Sequence, residues 1–109
     1  NISVLKKVSE MENVNMHILS VCKNDLQIND KVNWLDVNAS FFAHENIHVL
    51  SKQSITGLSS GEMKLHFLQD YMCKTSNKII LVDDDNQVLH IIKDGLRDVI
   101  LLQDSELVD

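Results

Sequence analysis

Apolar positions recur along the chain in two alternating periods. Ile2, Val4, Leu5, Val8 and Met11 follow the i, i+3, i+4 spacing of a helix over residues 2–12. Asn13 and Asn15 break that pattern, and Val14 to Val21 reads as a mostly apolar strand. A polar, loosely helical stretch from Asn24 to Val37 carries Leu26, Ile28, Val32, Trp34 and Leu35 as its apolar points. Of the two apolar bursts that follow, Phe41-Phe42 and Ile47–Leu50, the second is the better strand. Gly57-Leu58-Ser59-Ser60 turns into the clearest helix, with Met63, Leu65, Phe67, Leu68, Tyr71 and Met72 as apolar positions. Ser59 or Ser60 can cap it, and Glu62 in its first turn suits the helix dipole. Lys78–Val82 is a continuous apolar run bounded by turn residues, as in a strand buried on both faces of a parallel sheet. A short helix (Val88, Leu89, Ile91, Ile92), Gly95 and a last buried strand, Val99–Leu102, complete the order.

Helices alternating with strands in this way predict an α/β fold, a Rossmann-like, doubly wound, mostly parallel sheet, over a single domain spanning residues 1–109. In such sheets function collects at the carboxyl ends of the strands. Those ends offer Ser20, then Ser51 and Lys52, then Asp83-Asp84-Asp85, then Asp104 and Ser105. Three consecutive acids at the tip of a buried strand repel one another unless water or a cation neutralises them. Mg²⁺ suits that crowding, because it takes one or two carboxylates and keeps several waters. The plainer alternative is that the acids are solvated and cap the next helix.

Composition narrows the function classes. The chain has 10 basic and 16 acidic residues, a net charge of −6, and no basic cluster beyond Lys6-Lys7, so neither nucleic acid nor an anionic membrane surface is an expected partner. No apolar run approaches the roughly 20 residues that span a bilayer. Cys22 and Cys73 form neither a CxxC nor a disulfide framework, which points to a reducing, cytoplasmic setting. Proline is absent, and Asn1 stands where a start methionine would, marking the chain as an expected piece of a longer polypeptide.

The stretch 13–105 resembles the C-terminal portion of the haloacid dehalogenase superfamily, motifs two to four. Val14–Ser20 looks like the second motif, a strand ending in Ser or Thr whose hydroxyl bonds a phosphoryl oxygen, a role that falls to Ser20. Gly61–Leu68 looks like the helix after the third motif, and Ile79–Asp84 (IILVDD) is similar to the fourth, whose acidic pair, here Asp83 and Asp84, helps bind Mg²⁺. The third-motif lysine often stands immediately before Gly-Glu, where this chain has Ser60; Lys52 and Lys64 are the candidates, and Lys64 is preferred because it can reach back over the strand ends from the first helical turn. The nucleophilic Asp of the superfamily, in a DxD pattern, has no counterpart among residues 1–13. The resemblance therefore implies a Mg²⁺-dependent phosphatase, a hydrolase of a phosphorylated small molecule or protein, whose nucleophile lies outside this chain.

The alternative is a catalytically inert relative that serves as a structural or protein-interaction domain, with a protein partner or a missing chain segment against it. Lys78–Leu96 and Arg97–Asp104 also resemble parts of a response-regulator receiver domain, but a receiver places a further helix-linked strand between two such segments. Other residues are read as structural. His44 and His48 have an i, i+4 spacing without the intervening glutamate of a zinc protease and are taken as surface or half-buried; His17 packs within a strand. Cys22 is a small buried hydrophobe, and Trp34, Leu35, Phe41 and Phe42 are core, with an exposed Trp34 pointing instead to a partner.

Overall fold

The structure, a computed structural model, describes residues 2–103. These residues divide into two compact units, residues 2–56 and 57–103, with the division falling just before Gly57. Each unit contains a strand–helix–strand element whose two strands pair in parallel, so the architecture is α/β.

In the first unit, α1 (Ile2–Ser9) ends before the predicted limit, and Asn13 adopts a positive φ of 65°, a conformation that asparagine tolerates better than most residues. β1 (Ile18–Cys22) starts later than the apolar run suggests and continues past Ser20. α2 (Leu26–Asn38) crosses to a single 3-10 turn, His44–Asn46, and to β2 (Ile47–Ser51), which pairs with β1 from Ile18↔Ile47 to Cys22↔Ser51. Leu35, Ala39 and Phe42 form the buried core here, with Met16, Ile18, Phe41 and Ile47 packed against them. Trp34 departs from the core expectation: it is 54% exposed. Leu35, its neighbour in sequence, points inward, and successive helical residues diverge by about 100°.

In the second unit, α3 (Ser60–Met72) opens on a complete capping box. Ser59 Oγ accepts from the Glu62 N–H at 3.2 Å, and the Ser59 N–H donates to Glu62 Oε1 at 3.1 Å. β3 (Ile79–Asp83), α4 (Asn86–Gly95) and β4 (Val99–Gln103) follow, with β3 and β4 in register from Ile79↔Val99 to Asp83↔Gln103. Met63 and Leu68 on α3 and Val88 and Ile92 on α4 are buried, with α3 packed on α4 and α4 on the strands. Helices α3 and α4 approach closely where Gly61 faces Ile91 and Gly95 faces Leu65.

The expectation that β3 and β4 are buried on both faces is corrected at one position in each strand. Ile80 and Ile100, partners across the ladder, are 58% and 52% exposed. Side chains alternate between faces along a strand, and among the described residues this sheet has two strands with α4 packed on them, which leaves that pair outward. No helix among the described residues is long and apolar enough to cross a membrane.

Candidate functional site

The apolar run of β3 delivers Asp83 to the carboxyl end of the strand, where it is 8% exposed. From the first turn and a half of α3, Lys64 extends along the inward side of the helix, and its Nζ donates to Asp83 Oδ2 at 2.7 Å. The other carboxylate oxygen, Oδ1, accepts the Asp85 backbone N–H at 3.0 Å. Asp85 is in turn the N-cap of α4, its side chain accepting from the Gln87 N–H at 2.9 Å. Gln103, at the end of β4, donates through Nε2 to the Asp84 carbonyl at 3.2 Å. The turn after β3 is thus tied to the helix before it, the helix after it and the neighbouring strand.

The electrostatics follow from these contacts. Burial disfavours the charged form of Asp83, but the Lys64 hydrogen bond, the Asp85 N–H and the Lys64 charge outweigh it, and the carboxyl titrates below the usual aspartate range. Asp83 is therefore an ionised, buried carboxylate neutralised by an ammonium group. The three consecutive acids coexist because each has a different setting: Asp83 is ion-paired, Asp84 is exposed to water, and Asp85 caps a helix. Every buried side-chain nitrogen or oxygen among the described residues has a hydrogen-bond partner.

Of the four residues singled out from the sequence, Lys64, Asp83 and Asp84 belong to the second unit, and Lys64 and Asp83 are in direct contact. Ser20 belongs to the first unit. Its Oγ accepts from Lys31 Nζ at 2.6 Å, and the same ammonium donates to the Val21 carbonyl at 3.1 Å. Sequence reasoning missed Lys31. The available signal was its place between Ile28 and Leu35 at i, i+3, i+7, a cation on the inward stripe of α2. Lys52, the other lysine considered, is exposed in the turn after β2, and its backbone N–H donates to the Cys22 carbonyl at 2.9 Å. Asp104 and Ser105 lie outside the described residues.

A divalent cation at the end of β3 would have Asp83 and Asp84 as its protein carboxylates. No group of three or more His, Cys, Asp or Glu side chains that could hold a metal occurs among the described residues. Mg²⁺ accepts sparse protein coordination when water and phosphate oxygens fill the rest, but both oxygens of Asp83 are already engaged, one by the Lys64 ammonium and one by the Asp85 N–H. Asp84, exposed beside the ion-paired Asp83, is the acid open to such an ion.

Comparison of the chain with protein-family models, curated proteins and solved structures gives no match.

Proposed function

We propose that this chain is the C-terminal part of a Rossmann-like, haloacid-dehalogenase-type phosphohydrolase that depends on Mg²⁺ and acts in the cytoplasm. The observation that carries the reading is the Lys64–Asp83 pair at the carboxyl end of β3, in the place where that fold concentrates its chemistry. In this reading the Asp83 carboxylate holds the Lys64 ammonium at the strand ends, where it attracts a phosphoryl oxygen. For Ser20, in the first unit, the resemblance implies a hydroxyl that bonds a phosphoryl oxygen. Because its Oγ accepts from Lys31, its own hydrogen remains available to donate to an anion. Mg²⁺, when bound at Asp83 and Asp84, supplies charge neutralisation for the phosphoryl oxygens. The attacking carboxylate belongs to a segment outside these 109 residues. The substrate is a phosphorylated small molecule or protein. Two free cysteines, one of them the exposed Cys73, suit a reducing compartment.

Calorimetric titration of the chain with Mg²⁺ and with inorganic phosphate tests this reading. Wild type is expected to bind both, Asp84→Ala to lose Mg²⁺, and Lys64→Met to lose phosphate. A wild-type chain that binds neither ion overturns it. A second reading, a catalytically inert interaction domain, is favoured by the exposed cross-strand pair Ile80 and Ile100, an apolar patch that a partner would cover.

A further inference from the structure

Helix α2 leaves three large apolar side chains in water on one face. Leu26, Trp34 and Val37 are all exposed, Leu26 and Val37 at 81% and 83%. At about 100° per residue they fall within about 80° of one another around the helix, on the side away from the buried Leu35. Asp30, also exposed, lies inside this stripe, one turn before Trp34. The lysine of the same helix faces elsewhere, since Lys31 Nζ donates to Ser20 Oγ and to the Val21 carbonyl. The stripe is therefore apolar with an acid at its middle.

Helix α1 carries the complementary pattern. Ile2, Val4, Leu5 and Val8 form an apolar arc in which no residue is buried, and Ile2 is exposed. Lys6, one turn after Ile2, stands at the edge of that arc. Ile2 and Lys6 are four residues apart, as are Asp30 and Trp34. An α1 helix laid antiparallel on α2 therefore sets Ile2 against Trp34 and Lys6 against Asp30. The lengths also agree: at 1.5 Å per residue α1 is about 12 Å long, and the stripe from Leu26 to Val37 runs about 16 Å. Within one chain α1 does not cover the stripe, as the exposure of Leu26, Trp34 and Val37 shows.

We propose that the chain forms a two-fold dimer in which α1 of each copy lies antiparallel on the exposed face of its partner's α2. The contact is reciprocal, so two copies close on themselves. Apolar burial around Trp34 supplies the attraction, and the Lys6–Asp30 pair selects the register. Pairing α2 with α2 instead would set the Asp30 carboxylates of both copies in one apolar contact without a cation, which is unfavourable. A contact this small gives a weak dimer. It uses none of Ser20, Lys64, Asp83 and Asp84, and so is independent of the phosphohydrolase reading.

The experiment is sedimentation velocity of the 109-residue chain from roughly 1 to 500 µM, the span of weak association, with the emission of Trp34, its single tryptophan, recorded over the same series. Monomer is expected to give way to dimer, and the emission to move to the blue in step as the indole leaves water. Trp34→Glu should stay monomeric. Lys6→Glu and Asp30→Lys should each weaken the dimer about tenfold, because each removes two ion pairs and adds two repulsions. The two combined should return to within about threefold of wild type. Ile80→Glu, on the exposed sheet face of the second unit, should leave dimerisation unchanged. A monomer throughout the range overturns the proposal and leaves the stripe to a different protein. A dimer with unshifted emission, or one lost in Ile80→Glu, places the contact elsewhere and overturns it too. A charge-swapped double variant no tighter than the single variants overturns the pairing of α1 with α2. The wild-type series decides whether Trp34 is covered even if a variant fails to fold.

Discussion

Lys64 and Asp83 form an ion pair 2.7 Å long whose side chains are 14% and 7% exposed. Each group offsets the other's charge in a place where burying either one alone would carry a large solvation penalty. Breaking such a pair from one side usually costs about 3–5 kcal/mol, because it leaves an uncompensated buried charge. Lys64→Met is therefore expected to lower the unfolding free energy by about that much. Adding Asp83→Asn should recover part of the loss, since asparagine carries no charge and can still accept the Asp85 N–H. Urea unfolding of the two single variants and the double variant reads the coupling; a double variant less stable than Lys64→Met alone contradicts the pairing.

The same carboxylate sets an acid limit. Its folded-state pKa is depressed, so its stabilising contribution is fully present above the unfolded value of about 3.9 and disappears as pH falls below it through the folded-state value. The stability difference between wild type and Asp83→Asn should therefore be constant from pH 7 to 5 and shrink below pH 4. A difference that grows on acidification would mean that Asp83 is held protonated.

Ser59 caps α3 through a reciprocal pair of hydrogen bonds with Glu62. Ser59→Ala leaves the Glu62 N–H without that acceptor and should cost about 1 kcal/mol in chemical denaturation. Ser60→Ala, one residue into the helix, should cost clearly less. Equal losses would place the cap at the wrong serine.

Two glycines bring α3 and α4 together, and they should respond differently to a methyl group. A Cβ at Gly61 meets the terminal Cδ1 of Ile91 at 2.7 Å, whereas a Cβ at Gly95 meets both Leu65 methyl carbons at 2.7 Å and its Cγ at 3.3 Å. Alanine gains up to about 1 kcal/mol over glycine in a helix interior and less near the ends, where Gly61 and Gly95 stand, and overpacking costs about 1–3 kcal/mol. Gly61→Ala should be near neutral, because the end of one isoleucine can rotate away. Gly95→Ala should lower the melting temperature, because the whole branched end of Leu65 must move. The reverse order would refute this view of the helix contact.

The sequence made the element order legible wherever local chemistry and burial agreed. Ile79–Asp83 combines β-branched and leucine side chains with turn residues on both sides, and Ser59 with Glu62 specifies a helix start through contacts three residues apart. Lys64 was legible for a similar reason: one helical turn and a long side chain suffice to carry it to the strand ends. Contacts created by register were not legible. His48 had an obvious neighbour at i−4 in His44, yet His44 pairs with Asp36 and His48 with His17, because β1 and β2 align Leu19 with His48. Lys31 escaped notice for a related reason, since its partner Ser20 lies on the strand that α2 crosses over. Division of the strands into two pairs was also hidden, because periodicity reports which residues form strands and not which strands share hydrogen bonds.

That division bears on how the chain is made. Each ladder joins two strands separated by a single α-helix and its connections, so among the described residues no strand pairing waits for a distant part of the sequence. Ribosomes deliver the N-terminal side first, and units fold as they emerge. Ser51 completes the β1–β2 ladder within the first unit, so once β2 has left the ribosome the earlier sheet can close without any residue from Gly57 onward.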